Sequence, residues 1–218
     1  MAVILNLLPN SLPTCSVIIA TLDRLESLSV VLECLRKQTL PPLEIIIAVA
    51  GNPESVSGLV EALATSFPIR VLSGEVKSAA IQRNTAAEQA KGDILAFMDD
   101  DITMPADLLA GLLAEFVASE DKVEALSPRI ENQIRCPPGR LTRGYYHLQS
   151  GYAHRDYGGK LFGPGLNCLP IFRNTDAERV RTEWLPATCL FVRRETFLQH
   201  KFPAFSGYSY CEDVHLTA

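Results

Sequence analysis

The chain has 218 residues, 47% hydrophobic and 21% charged, with 20 Lys plus Arg against 25 Asp plus Glu for a net charge of −5. Its apolar content excludes wholesale disorder, and its length suits one large domain better than two small ones. An acidic chain without a basic run is a poor general nucleic-acid binder, because phosphate backbones call for clustered Lys and Arg.

The N-terminal MAVILNLLPNSLPT lacks the basic start and long apolar run of a secretory signal. Cys15 to Ala20 is a short β-branched run that predicts a buried strand, ending in Thr21-Leu22-Asp23. Leu25, Leu28, Val31, Leu32 and Leu35 recur at helical spacing within 25–37, and Pro41-Pro42 ends that connection. Glu44 to Ala50 predicts a second buried strand, closed by Gly51-Asn52-Pro53. Val56 to Phe67 predicts a helix, Ile69 to Leu72 a third strand, and Ser78 to Lys91 a helix stopped by Gly92. Ile94 to Met98 predicts a fourth strand running into Asp99-Asp100-Asp101. Strands alternating with helices, apolar on both faces, indicate a mostly parallel α/β sheet for residues 15 to about 130. Ligands on such sheets sit at the carboxyl ends of the strands, where Thr21–Arg24, Ala50–Asn52 and Asp99–Asp101 fall.

After a strand expected at Val123 to Ile130, residues 131–182 show little periodicity and predict a long irregular excursion with one hairpin. Order returns with a strand expected at Trp184 to Val192 and a short helix at Arg194 to Lys201. Glu212 to Ala218 has the character of a helix's opening turn, as at the end of a truncated chain. Six scattered cysteines form no C-x-x-C pair and read as reduced thiols. No stretch reaches the ~18–20 apolar residues of a membrane span.

Three adjacent carboxylates need an explanation, since two unit charges about 4 Å apart repel by about 4 kcal/mol at an effective dielectric near 20. A divalent cation would relieve that repulsion and bridge to a substrate phosphate. A solvated loop capping the next helix, with Pro105 in its first turn, accounts for the triplet equally well.

Taken in order, CSVIIATLDR, the Leu40–Ile45 segment, Gln82-Arg83-Asn84 before Lys91-Gly92-Asp93-Ile94, FMDDDITMP, WLPATCLFVRRETF and CEDVHL resemble the inverting family 2 glycosyltransferases of GT-A fold. The resemblance spans about residues 15 to 216 and implies one GT-A domain over 1–218, a Rossmann-like sheet flanked by helices. Residues 1–130 would be its nucleotide-sugar donor half and 131–218 its acceptor half. It also implies a D-x-D site for Mg²⁺ or Mn²⁺, with Asp101 the main ligand, Asp99 at the ribose or metal side, and Asp100 taking the metal if the register shifts by one. Glu212-Asp213 match the family's late acidic motif, which makes Asp213, ahead of Glu212, the base that takes the acceptor proton. A role as first-turn acids favoured by the helix dipole is the structural alternative. Arg83, near a helix start, suits a diphosphate or ribose. Thr21 falls in the donor crevice.

One departure stands out. The family carries an aspartate at the end of the second strand to read uracil or thymine, and this chain has Ala48-Val49-Ala50-Gly51-Asn52. Asp23, Asn52 or backbone groups are left to read the base, or the base differs. Trp184 is read equally as a sugar-stacking acceptor residue and as a core tryptophan. Tyr145, Tyr146, Tyr152 and Tyr157 could line an acceptor groove but serve packing as readily, and the four histidines lack metal-ligand spacing.

The expected function is metal-dependent sugar transfer from a nucleotide sugar to a carbohydrate or lipid-linked hydroxyl, with inversion, in polysaccharide or glycoconjugate synthesis. The expected location is cytoplasmic, with room for peripheral attachment at the inner membrane face. The rival readings are a non-catalytic sugar- or nucleotide-binding relative and a sugar-phosphate nucleotidyltransferase. The latter should carry a glycine-rich basic loop where Thr21-Leu22-Asp23-Arg24 stands.

Overall fold

The computed structural model describes residues 11–63, 65–118, 122–131, 138–151, 153, 157–163, 167–169, 179–205 and 212–217. β1 (Cys15–Thr21), β2 (Glu44–Val49), β3 (Ile69–Ser73) and β4 (Ile94–Met98) are parallel, linked by α1 (Leu25–Arg36), α2 (Pro53–Ala62) and α3 (Ala79–Glu88). α4 (Leu108–Ala118) and β5 (Ala125–Leu126) follow, then α5 (Arg140–Ser150) and the antiparallel pair β6 (Leu161–Phe162) and β7 (Asn167–Cys168). β8 (Cys189–Arg193), α6 (Arg194–Gln199) and α7 (Glu212–Thr217) complete the described elements. The main sheet has strand order β3-β2-β1-β4-β8-β5, with β8 antiparallel to both neighbours. This is a mostly parallel sheet flanked by helices, as the sequence leads one to expect.

Both faces of the central strands are buried, and their alternation assigns each residue a side. Val17, Ile19, Ile45, Ile47, Ala96 and Met98 pack against α1, α2 and α4, through Leu28, Leu32, Val56 and Leu113 among others. Ile18, Ile46, Ala48, Leu95 and Phe97 face the opposite layer, where Ala80, Ala86 and Ala87 let α3 lie close on the sheet. Phe97, Phe197 and Phe202 close that layer, with centroid separations of 4.6 to 5.5 Å.

Four expectations change. The strand expected over 123–130 is only Ala125–Leu126, with Pro128 beyond it unable to donate a ladder hydrogen bond. The strand expected from Trp184 starts at Cys189, after Pro186, for the same reason. The helix expected from Val56 begins at Pro53, because the Asn52 side chain accepts from Glu54 N at 3.0 Å and Ser55 N at 3.3 Å. Asn at the cap with Pro in the first turn is a helix-start signal, not only a turn. Within the irregular excursion α5 forms, beside the β6–β7 hairpin. Tyr152, His154, Cys136 and Cys211 lie outside the described residues. Among the described residues, Cys15, Cys34 and Cys189 are free thiols. Among the described residues, no helix is long and apolar enough to cross a membrane.

The end of the sheet away from the aspartates is fastened by Glu44. Its nearly buried carboxylate accepts from Ser16 Oγ at 3.0 Å, Lys91 N at 2.8 Å and Arg70 Nη2 at 2.9 Å. Burial raises its pKa, but the Lys91 amide, the Ser16 hydroxyl and the Arg70 guanidinium outweigh burial and leave it below the ordinary glutamate value. A lowered folded-state pKa contributes stability above the unfolded value and loses it as pH falls through the folded one. Glu44→Gln should therefore lower unfolding free energy by about 2 kcal/mol at neutral pH, the size of losing hydrogen bonds to a charged acceptor. In denaturant titrations the gap from wild type should narrow as pH drops below 4.5. A gap independent of pH would remove the carboxylate's charge from this account.

Candidate functional site

Strand alternation continues past the end of β4 and separates the aspartates. Asp99 follows Phe97 onto the α3 side, where its Oδ1 accepts from Arg83 Nη2 at 2.6 Å. Asp100 follows Met98 onto the α1 side and is wholly buried. There it accepts from Thr21 Oγ1 and from Arg24 Nε at 3.2 Å, and its other oxygen is ion-paired with Arg24 Nη2. Asp101 stays at the surface, paired with Arg24 Nη1 at 2.8 Å. The repulsion expected of the triplet is thus met by two guanidiniums on opposite faces. Burial raises the pKa of Asp99, and Arg83 opposes that rise more than any other neighbour. The backbone N–H of Asp99 is held by Thr188 O at 3.0 Å, which docks this strand end on the loop entering β8.

Arg83 is the joint of the site. It lies in the middle of α3, not near its start, and is buried. Beyond Asp99 it donates through Nη1 to Glu212 Oε1 at 3.0 Å, so an acid distant in sequence joins the end of β4. Its guanidinium lies 5.6 Å from the Phe202 ring centroid. Asn84, the next residue, grips the same segment by donating to Phe202 O at 2.8 Å and accepting from Phe202 N at 3.1 Å. Gln82 donates to Thr21 O at 3.1 Å and Ala48 O at 2.6 Å, tying the carboxyl ends of β1 and β2. Gln82-Arg83-Asn84 therefore fastens three edges of the crevice from less than one helical turn.

At the end of β2 a carboxylate arrives from another segment. Asp23 adopts a left-handed backbone with φ 55° and accepts from Asn52 N at 2.7 Å. Its carboxylate occupies the space a side chain at Gly51 would need, since a Cβ there would lie 2.0 Å from Asp23 Oδ1. A carboxylate thus reaches the edge of β2 from the turn after β1. Asn52 spends its own side-chain oxygen on capping α2.

In α7, Asp213 follows Glu212. Its Oδ1 accepts from Val214 N at 2.9 Å and its Oδ2 from Ala187 N at 3.4 Å. Thr217 Oγ1 donates to Asp213 O at 2.8 Å and accepts from Leu185 N at 2.9 Å, pinning α7 to the segment before β8. Trp184 is half-buried and donates its indole N–H to Leu169 O at 3.2 Å. Tyr157 is buried in an aromatic cluster with Tyr146 and Phe162, whereas Tyr145 is exposed. Burial pushes the Cys189 thiol up to about 12, so it stays protonated and carries no nucleophilic role.

Among the described residues, no three His, Cys, Asp or Glu side chains converge as a ready metal cage. Hard carboxylate oxygens still match Mg²⁺ or Mn²⁺, which complete their shells with water and substrate phosphate. Asp101 and Asp99 keep exposed side-chain surface, while Asp100 is turned inward. Arg24, quoted within the first motif but given no role there, neutralises two of the three acids. Its guanidinium returns across 76 residues, and no local signal in the sequence marks that return.

Comparison with known proteins adds the context. A search of curated proteins found no match. Among solved structures, the mannosyltransferase PcManGT from Pyrobaculum calidifontis, in complex with GDP-Man and Mn²⁺, matches at 19% identity and TM-score 0.58 over 89% of this chain and 49% of its own. S. aureus TarS 1–349 matches at 17% identity and TM-score 0.63, over 94% and 54%. GalNAc-T7 with UDP, GalNAc and Mn²⁺ matches at 18% identity and TM-score 0.63, over 96% and 40%. The chain spans about half or less of the length of these proteins, and the likeness establishes a GT-A-type fold. The family model for glycosyl transferase family 2 matches residues 16–169, which include the aspartate triplet and Arg83 and stop short of α7. The chain belongs to glycosyl transferase family 2.

Proposed function

We propose that this protein transfers a sugar from a nucleotide-sugar donor to a hydroxyl acceptor, with inversion and with the help of a divalent cation. The observation that carries this reading is the convergence on Arg83 of Asp99, from the end of β4, and Glu212, from α7. A buried guanidinium shared between the two halves of the sequence brings a donor edge and an acceptor edge to one crevice, as displacement at a sugar carbon needs. Residues up to about 130 form the donor half in this reading, and the remainder the acceptor half. The structures of PcManGT with GDP-Man and Mn²⁺ and of GalNAc-T7 with UDP, GalNAc and Mn²⁺ support the choice of donor class and metal. Membership of the family favours an enzyme over a purely binding relative.

In this mechanism Asp99 borders the donor's ribose and diphosphate, while Thr21, expected in the donor crevice, is instead buried with its hydroxyl donated to Asp100 and acts from beneath. Asp101, with Asp99, would hold Mg²⁺ or Mn²⁺. Bound there, the cation would offset charge on the departing nucleoside diphosphate. Asp100 serves from beneath by fixing Arg24 and the turn after β1. Asp213 takes the proton of the acceptor hydroxyl as its oxygen bonds to the anomeric carbon and the bond to the diphosphate breaks. Glu212 is engaged by Arg83, which leaves Asp213 the better placed of the two as base. Trp184, its N–H committed to Leu169, offers its remaining face to an acceptor. Thiols at Cys15, Cys34 and Cys189 agree with a cytoplasmic location, beside the membrane if the acceptor is lipid-linked.

Three experiments test this reading. Calorimetry of UDP and GDP should show binding with Mn²⁺ that weakens at least about tenfold in EDTA or in Asp101→Asn, the loss of one charged ligand contact. Equal affinity in all three conditions would dismiss the metal role. Asp23→Asn should change the ranking among UDP, dTDP, GDP and ADP in a competition assay, since Asp23 supplies the acid at the β2 edge; an unchanged ranking assigns base recognition elsewhere. Asp213→Asn should keep donor affinity while kcat falls ~10²–10⁴-fold, the usual contribution of a general base. Full transfer by Asp213→Asn together with its loss in Glu212→Gln would move the base by one residue.

A further inference from the structure

α5 stands apart from the other long helices. None of its residues is buried, and it is attached through Tyr146, whose ring packs 5.5 Å from Tyr157 and 4.7 Å from Phe162. Opposite that contact, Leu141, Gly144, Tyr145 and Leu148 recur at i, i+3, i+4 and i+7, forming one stripe. Leu141 is 91% exposed, Leu148 82% and Tyr145 56%. Leucines this open are costly in water, and an 11-residue helix without a buried side chain is too short to persist on propensity alone. Its N-cap, Gly139, supplies no side-chain hydrogen bond. The helix needs a surface to lie on.

Charge selects that surface. The segment 138–151 carries Arg140, Arg143 and His147 and no carboxylate, in a chain whose net charge is −5. On the helical wheel Arg140 and His147 border the leucines, and both are exposed. An apolar stripe with a basic margin and a tyrosine on its flank has the chemistry of a helix lying in the interface of an anionic bilayer, with leucines among the acyl chains and arginine among the headgroups. Pairing of two copies would add a second set of the same cations and no carboxylate to the stripe. We propose that α5 is a membrane-docking helix that seats this protein, through Leu141, Tyr145 and Leu148, on a lipid surface rich in anionic headgroups. The inference rests on α5 alone and does not depend on the transfer chemistry.

The test is sedimentation of the whole chain with vesicles of phosphatidylcholine, with and without about one third phosphatidylglycerol. Wild type should bind the anionic vesicles at least about tenfold more tightly than the neutral ones, and high salt should weaken that binding. Leu141→Gln with Leu148→Gln should lower binding at least about tenfold, and Arg140→Gln about fivefold. Val76→Gln, at an exposed apolar residue away from α5, should leave it unchanged. Circular dichroism should show native folding in all variants, since the substituted side chains are exposed. Equal partition to both vesicle types, or undiminished binding by the double leucine variant, would overturn the proposal. So would a wild-type dimer in sedimentation velocity that the double variant dissociates, because a second copy would then cover the helix.

Discussion

Three consecutive carboxylates at the end of a buried strand are an electrostatic load that the fold must carry before it can bind anything. The load is split by geometry: alternation sends Asp99 toward α3 and Asp100 toward α1, and a guanidinium waits on each side. Neither arginine serves one acid alone. Arg24 holds Asp100 and Asp101, and Arg83 holds Asp99 and Glu212. The turn after β1, the middle of α3, the end of β4 and the start of α7 are thereby fixed relative to one another. Removing either cation would leave an uncompensated charge in a low-dielectric setting, which is costlier than never having built the pair.

The opposite end of the sheet follows similar logic with a single acid. Glu44 gathers a hydroxyl, a backbone amide and a guanidinium, so the amino ends of β1 and β2, the end of α3 and β3 are joined at one carboxylate. Gly92 belongs to this arrangement, since a Cβ there would lie 2.5 Å from Ser16 N. One end of the sheet is thus closed by internal hydrogen bonds, and the other presents charges whose partners are partly exposed. A ligand can compete for the second set and not for the first.

Much of this was legible in the sequence. β1, β2 and β4 are unbroken β-branched or apolar runs because both their faces are covered, and their bounds came within a residue. The divergence of Asp99 and Asp100 follows from the same period-two counting, extended past Met98. What could not be read is long-range: the return of Arg24 to the triplet, the burial of Arg83 against Phe202, and the meeting of Glu212 with Asp99 through one guanidinium. α5 has a sequence signal in Leu141, Tyr145 and Leu148 at helical spacing, but glycines at 139, 144 and 151 break it up and point to a loop.

Gly51 and Asp23 occupy one volume between them, and this couples the substitutions each can accept. A Cβ at position 51 would lie 2.0 Å from Asp23 Oδ1, so a side chain there would require the carboxylate to swing away and give up its bond to Asn52 N. A change at the end of β2 would thus be felt first in the turn after β1, where Asp23 already holds a left-handed backbone. The two positions behave as one unit of tolerance, and neither can be judged permissive without knowing what stands at the other.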